Sequence, residues 1–241
     1  FTMAAVALIP LATILLAQPV RRVVDAGRDR AQSMSISLLL SPSNVLAPFR
    51  VLGSSAMLPR LTVAGALLAC GQGSLFAFLV TYLNQGLGLD LMTCGGIFAM
   101  TQLTGIPGRI GLGWLADRMG SGVPVLRFLS LTSAATTLVY AFVTPEWSEL
   151  ALILLSAIAG VTVSSWNGVQ LAEVARETPK GRVGETTSGA TLVIFLGYVL
   201  GPALFGALLA AIGEFSSAFL ATAALSLAAS IALWPGRPRL A

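Results

Sequence analysis

Gln72, Gln102 and Tyr198 fall near the middle of three separate long apolar runs, and Trp166 and Asn167 stand side by side in a fourth. Amide, phenol and indole groups in such surroundings can hydrogen-bond a polar solute, and their similar depth along the runs suggests a single tier lining a cavity. The alternative use is as glue between helices, at around 0.6 kcal/mol per bond on average. A second cluster is ionic. GWLADRMG, Gly113 to Gly120, sets Asp117 beside Arg118 directly after an apolar run. Arg109 precedes Asp117 by eight residues, about 12 Å along a helix, so it reads as a snorkelling or Asp117-paired arginine, or else as a cation for a solute. Enzyme chemistry is disfavoured: histidine is absent, no carboxylates pair in mid-run, and no nucleophile adjoins a base. Cys70 and Cys94 lie in or at the edge of apolar runs and read as small buried residues, with no metal site, disulfide framework or cofactor implied.

These side chains need a membrane-spanning frame. Of 241 residues, 56% are hydrophobic and 10% charged, with a mean hydropathy of +0.86, far from the roughly 25% charged of soluble domains. The net charge of +4 is dispersed in short clusters without a continuous basic face, which excludes nucleic acid as a partner. Seven stretches, approximately 1–20, 61–84, 91–115, 123–143, 149–171, 186–212 and 215–234, can cross about 30 Å of hydrocarbon as helices. Helices satisfy their own backbone hydrogen bonds, and the alternating short strands of a barrel are missing, so the fold class is an all-α polytopic membrane protein. The first stretch lacks a signal peptide's basic leader and cleavage site and counts as a span.

Basic residues set the orientation. Arg21, Arg22, Arg28, Arg30, Arg50, Arg60, Arg118, Arg176, Lys180, Arg182, Arg237 and Arg239 all fall on one side if the spans alternate, with Arg109 and Arg127 near span ends on that side. The loops 85–90, 144–148 and 213–214 carry no Lys or Arg. The positive-inside rule makes the first side cytoplasmic, with the N-terminus outside and the C-terminus inside.

Between the first two spans, residues 21–60 form the one long polar segment. Val45, Phe49, Leu52 and Ala56 recur there at helical spacing, which suits a helix lying on the membrane surface, interrupted by Pro48 and Gly53. Ser164, Asn167, Gln170 and Glu173 recur at steps of three in the fifth span and so wrap half way round a continuous helix. Pro107 with Gly105, Gly108 and Gly111, and Pro202 with Gly197, Gly201 and Gly206, predict kinked, closely packed helices flanking a pathway.

GWLADRMG resembles the signature loop of the major facilitator superfamily, G-x-x-x-D-(R/K)-x-G, with Gly113, Asp117, Arg118 and Gly120 in register, while Ser121 and Gly122 stand where its basic tail would follow. SSWNGVQLAEVARETPKGRVGETTSGA is similar to the stretch joining the family's tenth and eleventh helices. The resemblance implies a fold in which the seven spans correspond to helices six to twelve. Residues 1–20 would end a first half, 21–60 be the central cytoplasmic loop, 61–234 the six-helix C-terminal domain and 235–241 a cytoplasmic tail. It also implies transport of a small solute by alternating access between two pseudo-symmetric halves. Carried over by position, it puts Gln72, Gln102, Trp166, Asn167 and Tyr198 on cavity-lining helices, and Arg109, Gly113, Asp117, Arg118 and Gly120 at a gate. Asp117's partner would then lie on the absent half. The chain opens at Phe1 without counterparts of the first five helices, so the expectation is a fragment or domain completed by an N-terminal half, or a half-transporter that dimerises. Its other partners are the lipid bilayer of a cell membrane, most naturally a bacterial inner membrane, the solute, and a coupling proton or ion whose protonatable group lies in the other half, with Glu173, close to the cytoplasmic end, as the weaker candidate. A membrane-embedded structural or regulatory subunit without transport is the alternative.

Overall fold

The computed structural model describes residues 48–234, together with Ala17 and Gln18, and residues 48–234 fall in one compact unit. The expected span 1–20, most of the segment 21–60 and the tail 235–241 lie outside the described residues. The described chain is helical, with no strand. Its helices are α1 (Met57–Thr81, continued by a π-helical turn Tyr82–Gly86), α2 (Leu91–Met119), α3 (Val123–Tyr140), α4 (Glu149–Thr162), α5 (Asn167–Arg176), α6 (Val183–Ile212) and α7 (Phe215–Ala232). Met57–Gly86, Val123–Tyr140, Glu149–Arg176, Val183–Ile212 and Phe215–Ala232 are each long and apolar enough to cross a membrane. At 29 residues α2 is also long enough, but Thr101, Gln102, Thr104 and Arg109 make it less apolar than the other long helices.

Local chemistry fixes the ends. Asp90 caps α2 by accepting from the backbone N–H groups of Met92 at 3.0 Å and Thr93 at 3.2 Å, and hydrogen bonding from Thr93 holds its carboxyl below the ordinary carboxylate range. Ser148 caps α4 through the Ala151 N–H. Gly120, at φ 70°, ends α2 in the left-handed conformation that a side chain would disfavour. Pro107 and Pro202 lie inside α2 and α6 without ending either.

Successive spans run antiparallel and bury two apolar clusters. One, at the end carrying the basic residues, includes Leu58, Leu61, Leu126, Trp166 and Leu233. The other includes Leu79, Tyr140, Leu152 and Phe219. There the Tyr82 hydroxyl donates to the carbonyls of Tyr140 at 3.0 Å and Val143 at 3.3 Å, fastening α1 to the end of α3.

Two helix pairs approach so closely that only glycine fits. A Cβ on Gly201 or Gly197 of α6 would collide with the backbone of Cys70 or Ala66 in α1. One on Gly160 of α4 would strike the Thr101 carbonyl of α2. Small-residue packing of this kind substitutes for the hydrophobic drive that lipid does not supply. Both cysteines are buried and free.

Two expectations need correction. Among the described part of the proposed surface segment only residues 48–52 are helical. The buried side chains are Val51 and Leu52, with Phe49 and Ala56 exposed, because the chain turns at Gly53–Ala56 before α1 begins at Met57. The fifth span is not one continuous helix. It leaves the helical path at Val163–Trp166 between α4 and α5.

Gly201→Val should separate α1 from α6 and lower the thermal unfolding midpoint of the purified protein, an overpacking cost of about 1–3 kcal/mol. Gly111→Ala, placed where nothing lies within 4 Å of the new methyl, should leave the midpoint unchanged.

Candidate functional site

The interruption at Val163–Trp166 organises the middle of the molecule. Unwound backbone inside a membrane must find partners within the protein. Here the Val163 N–H still donates to the Ala159 carbonyl at 2.8 Å, and the Ser164 hydroxyl donates back to the Gly160 carbonyl at 2.6 Å. The Ser165 hydroxyl reaches the carbonyls of Gly160 at 3.0 Å and, across on α2, Gly105 at 3.2 Å. The carbonyl of Ser164 accepts from Arg109 Nε at 3.2 Å. Gly105 and Gly108 make this contact possible, since a side chain on either would meet the hydroxyl of Ser164 or Ser165. Thr104 adds an interhelical bond of 2.8 Å to the Ala157 carbonyl.

With its start set by that break, α5 presents Asn167 to α6. Asn167 Nδ2 donates to the Tyr198 hydroxyl at 3.0 Å, and that hydroxyl donates to Gln72 Oε1 on α1 at 2.8 Å. Gln72 and Tyr198 are each the sixteenth residue of a 30-residue span, so the chain of bonds lies at mid-depth. Trp166, 1% exposed, stacks on the Tyr198 ring with centroids 6.4 Å apart, and its indole N–H is buried without a partner. It backs Tyr198 instead of walling a cavity. Gln102 is exposed on α2 and hydrogen-bonded to none of these residues, so the tier read from the sequence contains Gln72 and Tyr198, joined by Asn167, without Gln102.

Arg109 is exposed, and among the described residues no carboxylate lies within ion-pairing distance of it. Its expected pairing with Asp117 does not form. Asp117 instead meets Arg176 of α5 at 3.5 Å, so a partner for it exists within this chain. Arg176 also bonds the buried Glu173 at 2.9 Å. Glu173 in turn accepts from the Gly122 N–H at 2.8 Å and the Ser121 hydroxyl at 3.1 Å. Ser121 and Gly122, which depart from the signature's basic tail, are thus the residues that a carboxylate holds. Arg118 lies over the Trp114 ring at 5.2 Å, Gly113 has open space around it, and Gly120 makes the turn.

Between α5 and α6 a groove of about 440 Å³ is lined by Leu171, Thr187, Ser188, Thr191, Leu192 and Phe195. Phe195, the furthest along α6 from the basic end, tilts against Tyr198.

The model of the Major Facilitator Superfamily matches residues 1–171. The chain belongs to this superfamily. It is 28% identical over 169 residues to an uncharacterized MFS-type transporter of Mycobacterium tuberculosis, covering 70% of this chain and 37% of that protein. It is 26% identical over 171 residues to monocarboxylate transporter 13 of Rattus norvegicus, covering 71% of this chain and 39% of that protein. The chain therefore spans less than two fifths of these relatives. Superfamily membership and the apolar helices make it a multi-pass membrane protein.

Sequence reasoning singled out Gln72, Asn167 and Tyr198 but missed the break that brings them together, and missed Arg176 and Glu173 as holders of the signature loop. Ser164, Ser165, Asn167 and Gly168, four of five consecutive residues, are of types that favour caps and turns, and that cluster was the available signal.

Glu173→Ala would strand the Gly122 N–H, the Ser121 hydroxyl and Arg176. An unsatisfied buried donor costs about 1–3 kcal/mol, so the thermal midpoint should fall, whereas Asp117→Ala, removing a partner that is 76% exposed, should barely move it. Equal effects of the two variants would contradict this arrangement.

Proposed function

We propose that this chain supplies the C-terminal half of a secondary transporter that carries a small organic anion across a bacterial cell membrane by alternating access. The observation that carries this reading is the mid-depth chain Gln72–Tyr198–Asn167, with Arg109 bound to the same break and lacking a carboxylate partner among the described residues. Arg109 is the nineteenth of the 29 residues of α2, within snorkelling reach of the basic end, so its charge costs less than the ~2.5–3.5 kcal/mol of an arginine at a helix centre, and an anionic solute would offset that cost. The name monocarboxylate transporter 13 of the Rattus norvegicus relative is consistent with such a solute. Gln72, Asn167 and Tyr198 would orient it by hydrogen bonds, with Trp166 stiffening Tyr198. Gln102, on the exposed face of α2, would make a contact toward the opposite half.

The other half would pack on α6, the most apolar span, which is 22% buried over its most apolar window against 56% for α1. An N-terminal half or a second copy would cover it and complete the site at the interface. The positive-inside rule supports a cytoplasmic basic end, seven spans, an external N-terminus and an internal C-terminus. Asp117, paired with Arg176, together with Arg118, Gly113 and Gly120, would gate that end. Any coupling proton would be taken up in the other half, since Glu173 is committed to the loop. Neither the superfamily nor the site supports an enzymatic role.

The test is uptake of radiolabelled lactate and pyruvate, against glucose, by proteoliposomes holding the complete transporter. Saturable carboxylate uptake without glucose uptake is expected. Arg109→Gln and Asn167→Ala should each weaken binding by about ten-fold or more in protein that still inserts, and Asp117→Ala should slow flux with binding retained. No carboxylate flux, as a non-transporting subunit would give, or unchanged affinity in both binding variants overturns the reading.

A further inference from the structure

We propose that a cleft at the basic end, between the start of α1 and the end of α7, binds the phosphate headgroup of an anionic phospholipid, with Arg127 of α3 backing the cleft through the Trp234 ring. This inference is independent of the transported solute. Two guanidinium groups converge there on one residue, Trp234. Arg127 lies over its ring at 4.2 Å, and Arg60 donates to its carbonyl at 3.4 Å. The Nε of Arg127 is buried with no hydrogen-bond partner, and among the described residues neither arginine has a carboxylate within ion-pairing distance. Two cations on one tryptophan, with no anion beside them among the described residues, leave charge that a phosphate can meet through the N–H donors of Arg60, which lines the cleft, while Arg127 adds its field from behind the ring.

Depth and shape favour a lipid as the source of that phosphate. Arg60 is the fourth residue of a 30-residue helical span. Such a span is about 45 Å long against about 30 Å of hydrocarbon, so its first turn stands at headgroup level. The cleft, about 360 Å³, is lined by Pro59, Arg60, Val63, Ile231, Ala232 and Trp234. Val63 and Ile231 are 49% and 65% exposed and lie one turn or less deeper than Arg60 and Trp234, where acyl chains would run. Cation above and apolar wall below match a phospholipid and not a free anion. Basic pockets between helix ends are recognised sites for acidic headgroups.

The experiment is native mass spectrometry of the intact protein in detergent with phosphatidylglycerol, phosphatidylcholine or inorganic phosphate added. Retention of phosphatidylglycerol over phosphatidylcholine is expected, with R60Q/R127Q weakening it about ten-fold. The control R50Q/K180Q, which removes the same charge from exposed positions elsewhere on the basic end, should retain the lipid. Equal retention of the two lipids, equal loss in the control, or displacement of phosphatidylglycerol by millimolar inorganic phosphate each overturns the proposal. If R60Q/R127Q does not fold, R60Q alone decides by the same reading, because among the described residues Arg60 makes a single hydrogen bond, to a carbonyl.

Discussion

A membrane interior offers no water to a broken helix, and this molecule breaks one at Val163–Trp166. The stability of that break is the constraint on which the rest of the site depends. Ser164 and Ser165 turn their hydroxyls back onto Gly160, Ser165 reaches Gly105, and Arg109 reaches the Ser164 carbonyl. The two bonds that cross to α2, Ser165 to Gly105 and Arg109 to Ser164, require it to lie against α4 at a distance that Gly105, Gly108 and Gly160 allow. A backbone demand at one point thus dictates glycine on two helices and places a guanidinium at a depth where charge is costly.

The break also determines direction. A continuous helix would have wrapped Ser164, Asn167, Gln170 and Glu173 around its surface and set them to separate tasks. Separate tasks remain, but with closer coordination. Ser164 braces the break, Asn167 meets Tyr198, Gln170 Nε2 reaches the Leu61 carbonyl at 3.4 Å, and Glu173 secures the loop before α3. One short helix, α5, therefore links the mid-depth polar chain to the charged loop at its end. Movement of α5 as a unit would be felt at both places, which is the mechanical requirement for a gate that responds to an occupied site.

Much of the frame was legible because lipid enforces simple rules. Run length predicted the five described helices that are long and apolar enough to cross a membrane, and GWLADRMG pointed to the superfamily through four residues in register. The glycine pair Gly197 and Gly201 predicted close packing, now seen against α1. The site was legible only in part. Apolar run length marks that a segment crosses, and it carries no record of a four-residue interruption within it. Similar depth grouped Gln102 with Gln72 and Tyr198, but depth does not specify which face of a helix a residue occupies. Asp117 was read against a partner on the other half because Arg176 is 59 residues away in sequence, and only the fold brings it to 3.5 Å.

The central claim is that the break turns α5 so that its first residues face an aqueous pathway while Ser164 and Ser165 are sealed against α2. Labelling by a small water-soluble thiol reagent tests it most directly, in the intact protein in bilayers with Cys70 and Cys94 replaced by alanine. Gly168→Cys, at an exposed position with open space around it, is expected to react, and Ser164→Cys, at a fully buried one, to remain unlabelled. Labelling of Ser164→Cys at the rate of Gly168→Cys, or of neither, would contradict the account.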